Sequence, residues 1–178
     1  MGRRFVVADT HFGDRGGILR YEERPFADVE EMDRVLCENW NRAVGAGDTV
    51  YHLGDFAGGA DRERASALLA GLNGRKILVM GNHDQWMTAR EWMEAGFEEA
   101  YPLPVVLDGF YLLSHEPLYV TMAAPYANLF GHVHRNPAYR GCSARSFCAC
   151  VERIGYTPVL FDTIKERILR ANESFNLK

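Results

Sequence analysis

Six histidines carry most of the chemical interest: His11, His52, His83, His115, His132 and His134. Five of them sit just past a stretch that reads as a β-strand, beside Gly, Asp or Asn: Asp9-Thr10-His11, Gly81-Asn82-His83-Asp84, His115 and Gly131-His132-Val133-His134. Gly54-Asp55 ends another strand in the same way. In open α/β sheets ligands bind at the carboxyl ends of strands, so these polar clusters converge on one place in such a fold. In extended backbone, residues i and i+2 point to one side, which lets Asp9 and His11 reach one ion, and His132 and His134 one cluster. Gly54, Gly81 and Gly131 permit tight turns and close backbone approach. The donors are carboxylate, imidazole and one amide oxygen, without thiolate, a set suited to Mn²⁺, Fe, Zn²⁺ or Ni²⁺. Four imidazoles argue against Ca²⁺, which takes oxygen ligands.

The elements that must position these groups alternate along the chain. Arg4–Asp9 is a short apolar run ending in a polar turn and reads as a buried strand. Asp28 to Val44 predicts a helix, with Asp28 and Glu31 as a capping pair and Val29, Met32, Leu36, Trp40, Ala43 and Val44 on one face. Thr49–Leu53 and Lys76–Met80 predict strands, Asp61–Leu72 and Met87–Ala95 helices. Asp108-Gly109 between Val105–Leu107 and Phe110–Ser114 is a strong hairpin signal. Leu129–Val133, Phe147–Ile154 and Thr157–Phe161 read as further strands. Asp162 caps a last predicted helix to Ala171, with Ile164, Ile168 and Leu169 inward. The first half is β-α-β-α-β and the second carries hairpins, so the expectation is an α/β fold with mixed strand directions.

Composition narrows the class. The 178 residues are 47% hydrophobic and 25% charged, which fits one domain over 1–178 with a sizeable core. Twenty basic side chains against 24 acidic ones, and 12% aromatics, exclude a disordered chain. The net charge of −4 argues against long nucleic acid as a partner. Phe5-Val6-Val7-Ala8 is too short for a signal-peptide core, and no apolar run reaches membrane-span length. The expectation is a cytoplasmic protein without a membrane partner. Its protein partners and the role of Cys142, Cys148 and Cys150 stay open; C-x5-C-x-C is not a recognised zinc spacing.

Taken in order, Asp9-x-His11, Gly54-Asp55, Gly81-Asn82-His83-Asp84, His115 and Gly131-His132-x-His134 resemble the five motifs of the calcineurin-like metallophosphoesterase superfamily. Asp9-Thr10-His11-Phe12-Gly13 and Tyr51-His52-Leu53-Gly54-Asp55 are similar to a branch of small single-domain prokaryotic members. The resemblance implies a sandwich of two mixed β-sheets flanked by α-helices, and a dinuclear metal centre. One divalent ion, Mn²⁺ by preference over Fe, Zn or Ni, would take Asp9, His11, Asp55 and His134. The other would take Asp55, Asn82, His115 and His132, with Asp55 as bridge. The implied activity is hydrolysis of a small phosphoester, with a weak lean to a phosphodiester or nucleotide-like substrate, through attack of a hydroxide bridging the metals. His83 would serve the leaving group as a proton donor, and Asp84 would hold its ring. Many relatives carry an Asp at the position of Gly58, so support from there is in doubt. The alternative is a non-catalytic scaffold on the same fold.

The other polar and aromatic side chains have blander readings. His52 matches no ligand position and reads as a satisfied strand histidine. Arg15 and Arg135 are the arginines most suited to contact the substrate; Arg20, Arg24, Arg140 and Arg145 rank below them. Trp40 reads as core. Trp86 and Trp92 read as core ahead of base-stacking surfaces, and Tyr119 and Tyr126 stay open.

Overall fold

The apolar run at residues 5–8 has no polar side because both of its faces are covered. In the computed structural model, which describes residues 2–59, 61–121, 124–139 and 143–176, Phe5 and Val7 pack with Met32, Leu36 and Trp40. Val6 and Ala8 point the opposite way, into a second core with Leu113, Leu129, Phe147 and Ala149. A strand buried on both faces reads as continuous hydrophobic sequence, as this one does.

In chain order the strands are β1 (Arg4–Val7), β2 (Thr49–His52), β3 (Arg75–Val79), β4 (Glu99–Tyr101), β5 (Val105–Leu107), β6 (Tyr111–Leu113), β7 (Ala127–Phe130), β8 (Ser146–Cys148) and β9 (Val159–Leu160). The helices are α1 (Ile18–Tyr21), α2 (Val29–Ala43), α3 (Arg62–Gly71), α4 (Ala89–Ala95) and α5 (Phe161–Asn176). One sheet has the order β4-β3-β2-β1-β9, parallel except for β9. The other has the order β5-β6-β7-β8, with β5 antiparallel and the rest parallel. Two mixed sheets flanked by helices is thus the architecture that the motifs implied. Helix α5 packs against β1 and β9 of the first sheet and β8 of the second. No helix among the described residues is long and apolar enough to cross a membrane.

Local chemistry explains most boundaries. Asp28 caps α2 by accepting from the Glu31 N–H at 2.8 Å, but the Glu31 carboxylate reaches Ala27, one residue before the reciprocal partner of a capping box. Asp61 caps α3 and Thr88 caps α4. Several expectations need correction, among them the ends of β1, β7 and β9. Strand β4 and the single turn α1 have no counterpart in the sequence reading. The strand expected over 147–154 stops at Cys148 and becomes a 3₁₀ turn at Val151–Arg153, because Cys150 is drawn into a bridge with Ala8. Helix α5 starts at Phe161, so Asp162 lies inside its first turn. Leu169 is 60% exposed, while Phe161, Ile164 and Ile168 point into the core.

Trp40 and Trp92 are core residues, and each indole N–H donates to a backbone carbonyl, of Asn73 and Asp84 respectively. Trp86 is half-buried with its ring centre 5.2 Å from that of Trp92. His52 is fully buried: its Nε2 meets Thr10 Oγ1 at 3.0 Å, and Thr10 donates onward to the Phe56 carbonyl. Burial pushes the His52 imidazole down to about 3. Below the ordinary histidine pKa the unfolded chain takes a proton that the folded chain refuses. Stability is therefore lost as pH falls from the ordinary value toward 3. By about pH 5 the loss amounts to about 2 kcal/mol. Urea titrations of metal-free protein at about pH 7.5 and about pH 5 should show His52→Gln losing about 2 kcal/mol less than wild type across that interval. Equal losses would mean that His52 is not held neutral.

Candidate functional site

The β1–β2 pairing does not stop where the strands do. The Asp9 N–H donates to Gly54, His11 to Asp55 and Phe12 to Phe56, at 2.9, 3.0 and 2.9 Å, and Gly58 donates back to Phe12 at 3.0 Å. Asp9, His11 and Asp55 are held in these two laced loops. His115 and His132 enter from the ends of β6 and β7, where the Gly131 N–H donates to the His115 carbonyl.

Five of these residues have left-handed backbone: Asp9 at φ 60°, His11 at 51°, Asp55 at 56°, His132 at 69° and His134 at 43°. Side chains at i and i+2 do converge, but through turns, and not through the extended backbone that the sequence reading assumed. Each such position costs on the order of 1–3 kcal/mol and persists only where its surroundings over-determine it. Gly81 and Gly131 leave no room for a Cβ: it would lie 2.2 Å from Asp55 Oδ1 at the first and 2.5 Å from Asp9 Oδ2 at the second.

The donor atoms form two groups. One ligand atom each of Asp9, His11 and His134 lie within 4.8 Å of one another, and so do those of Asp55, His115 and His132. Asn82 belongs with the second group, its Oδ1 3.0 Å from His115 Nε2 and 3.0 Å from His132 Nδ1. Asp55 Oδ2 stands between the groups, 3.5 Å from His11 Nε2 and 3.3 Å from His115 Nε2.

Ring orientations follow from what lies behind each imidazole. His115 Nδ1 meets the Leu53 carbonyl at 2.8 Å, so it carries a proton and Nε2 is the nitrogen that faces inward. His134 Nδ1 meets Glu152 Oε1 at 3.0 Å, and its Nε2 lies 3.7 Å from Asp9. The Asp9 carboxylate accepts the His132 N–H with both oxygens at 3.0 Å. Burial by itself would raise Asp55 and lower His115, yet their mutual contact reverses both, holding Asp55 down at about 2 and His115 up at about 9.

A pair of cations fits this donor set. His11 is buried and neither ring nitrogen makes a hydrogen bond of good geometry, Nε2 having no partner and Nδ1 only the Asp14 carboxylate 3.3 Å away. His115 Nε2 and His132 Nδ1 face each other at 3.1 Å with the Asn82 oxygen beside them, so three atoms that can each serve as a metal ligand, the two nitrogens once deprotonated, crowd one point. Hard and borderline divalent ions satisfy such a cluster, and structural zinc or iron–sulfur chemistry does not suit it.

Other expected site residues sit differently. Asp84 does not hold the His83 ring. Its carboxylate accepts the backbone N–H groups of Asp55, Phe56 and Gly81 at 2.8, 2.9 and 2.8 Å, tying the end of β2 to the end of β3. Burial pushes its pKa up to about 6 against the pull of those donors. His83 is exposed, its ring centre 5.1 Å from that of His11, while its N–H donates to Asp55 Oδ1. Arg15 is exposed and pairs with Glu30, at the rim of a groove of about 720 Å³ that His11, His83 and His134 also line. Arg135 faces Glu23 at 3.7 Å and does not line that groove. Arg140 and Cys142 lie outside the described residues. Cys148 and Cys150 are free thiols with Sγ atoms 3.2 Å apart.

Three residues behind the site take roles that the sequence reading did not assign, Arg24 having been weighed there only as a substrate contact. Arg24 is buried and donates to the carbonyls of Asp9 and Thr10 at 2.7 and 2.9 Å. It also pairs with Glu152, the carboxylate behind His134, at 2.6 Å. Asp14 Oδ2 lies 3.3 Å from His11 Nδ1. No motif spacing marks Glu152 or Asp14, and Arg24 looks like any loop arginine in the sequence.

The model of the calcineurin-like phosphoesterase family matches residues 2–141. The chain belongs to this family. A calcineurin-like phosphoesterase is metal-dependent, and the two donor groups are candidate metal ligands. The uncharacterised protein MJ1445 of Methanocaldococcus jannaschii is 32% identical over 175 residues, 94% of this chain and 92% of that protein. The gene 66 protein of Mycobacterium phage L5 is 38% identical over 87 residues, 47% of this chain and 41% of the phage protein. The crystal structure of AQ665, a protein of unknown function from Aquifex aeolicus, superposes with a TM-score of 0.73 at 27% identity, covering 93% of this chain and 99% of that one.

Asp84→Asn should test the tie between strand ends. An amide has one acceptor oxygen, so at least one of the three backbone donors loses its partner, which costs about 1–3 kcal/mol when buried. Urea unfolding in chelator should register that loss. An unchanged midpoint would show that the tie contributes nothing.

Proposed function

We propose that this calcineurin-like phosphoesterase hydrolyses a small phosphoester at a two-ion centre, with Mn²⁺ as the preferred metal. Asp9, His11, Asp55 and His134 hold one ion; Asp55, Asn82, His115 and His132 hold the other. The observation that supports this reading is the place of Asp55 Oδ2, within 3.5 Å of an imidazole nitrogen from each group. When bound, such ions supply Lewis acidity toward the phosphoryl oxygens and lower the pKa of water.

The chain's own residues do the rest. The groove beside His11 and His134 has apolar walls from Phe12, Ile18 and Leu68 and polar groups from Arg15 and Arg64. Its volume of about 720 Å³ suits an ester group of nucleoside size, which favours a phosphodiester or nucleotide-like substrate. His83 opens onto this groove and gives the leaving oxygen its proton. Residues beyond 141 complete the site, since Glu152 backs His134 and Cys150 bridges to Ala8, so we place the whole chain, 1–178, in one domain. A scaffold would have no use for a full donor set, and every expected ligand is present.

Metal analysis and an ester screen test the reading. Protein stripped of metal and reloaded with Mn²⁺ should retain close to two ions per chain and turn over a phosphodiester. Asp55→Ala should lose at least one ion and nearly all turnover. Two ions with no turnover on any mono- or diester would favour the scaffold reading; no ions at all would remove the metal centre.

His83→Ala should keep both ions. General acid catalysis contributes about 10²–10⁴-fold when the departing oxygen is basic. The variant should therefore slow a nucleoside ester by that order and a nitrophenyl ester far less. Equal losses in kcat/KM on the two esters would reject the proton-donor role.

A further inference from the structure

Gly58 is a glycine for a reason that lies elsewhere in the chain. Its backbone is not in the left-handed region, so conformation alone does not demand glycine. A Cβ built on it would lie 2.3 Å from Asp14 Cβ, 2.5 Å from Asp14 Cγ and 2.8 Å from Asp14 Cα. Asp14 therefore occupies the space that a side chain at 58 would fill. The two residues come from neighbouring laced loops, joined by the Phe12–Ala57 bridge and the Gly58 to Phe12 hydrogen bond. From that space Asp14 Oδ2 faces His11 Nδ1 at 3.3 Å, while His11 Nε2 faces Asp55. Asp14 also lines the groove with His83.

We propose that Asp14 is the positioning carboxylate of His11, holding its Nδ1–H so that Nε2 faces the ion cluster, and that Gly58 is the room kept for it. This rests on the two-ion reading above. Asp14 is not a ligand and touches no reacting atom; it acts through His11. A carboxylate behind a metal-binding imidazole fixes tautomer and ring orientation, and its loss typically weakens metal binding about 10–100-fold.

Asp14 has a second contact that a purely structural role would explain. Its Oδ1 accepts the Gly16 N–H at 2.5 Å, closing a tight turn. A serine can close such a turn too but carries no charge toward His11. An aspartate at position 58 would have its Cβ 2.5 Å from the present site of the Asp14 carboxyl carbon, so its side chain would enter the space that Asp14 vacates when it is cut back to glycine.

The test is calorimetric titration of Mn²⁺ into metal-free wild type, Asp14→Ser, Gly58→Asp and the double variant Asp14→Gly with Gly58→Asp. Melting in chelator controls for folding. Wild type should bind two ions. Asp14→Ser should bind one of them about 10–100-fold more weakly without a drop in melting temperature. Gly58→Asp should be impaired by the clash, and the double variant should recover the lost affinity. Wild-type affinity in Asp14→Ser, or a double variant no better than the worse single, overturns the proposal. Failure of the wild type to bind metal would instead overturn the two-ion reading on which the proposal rests.

Discussion

The continuation of the β1–β2 hydrogen bonding into the loops beyond is the constraint on which the site depends. Four backbone bonds between residues 9–12 and 54–58 hold those two loops as a pair after the strands have ended. Loops are normally where backbone order is lost, and here they carry left-handed Asp9, His11 and Asp55 in fixed orientations. The Asp84 carboxylate extends the pairing sideways to β3 by taking three more backbone N–H groups. Arg24 does the same from the other side, through the Asp9 and Thr10 carbonyls. The donor atoms are thus held by backbone and buried charge, not by their own contacts with one another.

Much of this was legible in the sequence because it follows from local rules. The unbroken apolar run of β1 announces a strand covered on both faces, and the Asp-Gly turn at 108–109 marks the β5–β6 hairpin. The motif clusters at strand ends could be placed because parallel strands deliver their carboxyl ends to one side. What could not be read depends on pairs distant in sequence. Glu152 meets His134 only because the chain turns under the site after β8, and nothing in the residues around position 152 signals it. Asp84 illustrates a subtler limit. Its proximity to His83 in sequence suggested a side-chain contact, but three unpaired N–H groups compete for the same carboxylate and win.

Charge is distributed in the same layered way. Arg24 and Glu152 are both fully buried, a pairing that is costly unless every hydrogen bond is made. Arg24 meets that condition with two carbonyls and a carboxylate. One Glu152 oxygen serves both Arg24 and His134, while the other has no partner. The pair therefore couples the backbone of the β1 loop to the ring of His134, across 110 residues of chain from Arg24, through a single carboxylate oxygen. His52 stands apart from this system: kept neutral by burial, it braces Thr10 without adding charge to the cluster.

The bridge between Ala8 and Cys150 joins the two sheets at the edge of the site, with the Ala8 N–H donating to Ala149 and its carbonyl accepting from Val151. Its partners lie some four-fifths of the chain apart, and that separation has a consequence in time. During synthesis Asp9 and His11 emerge early, yet the segment at 149–151 that clamps their loop follows far later in the chain. Until then the ends of β1 and β2 can pair with each other, but His134 has no Glu152 behind it and Arg24 no anion to face. A nascent chain therefore carries its early ligands without the frame that aims them, and the centre cannot close until residues 149–152 have been made.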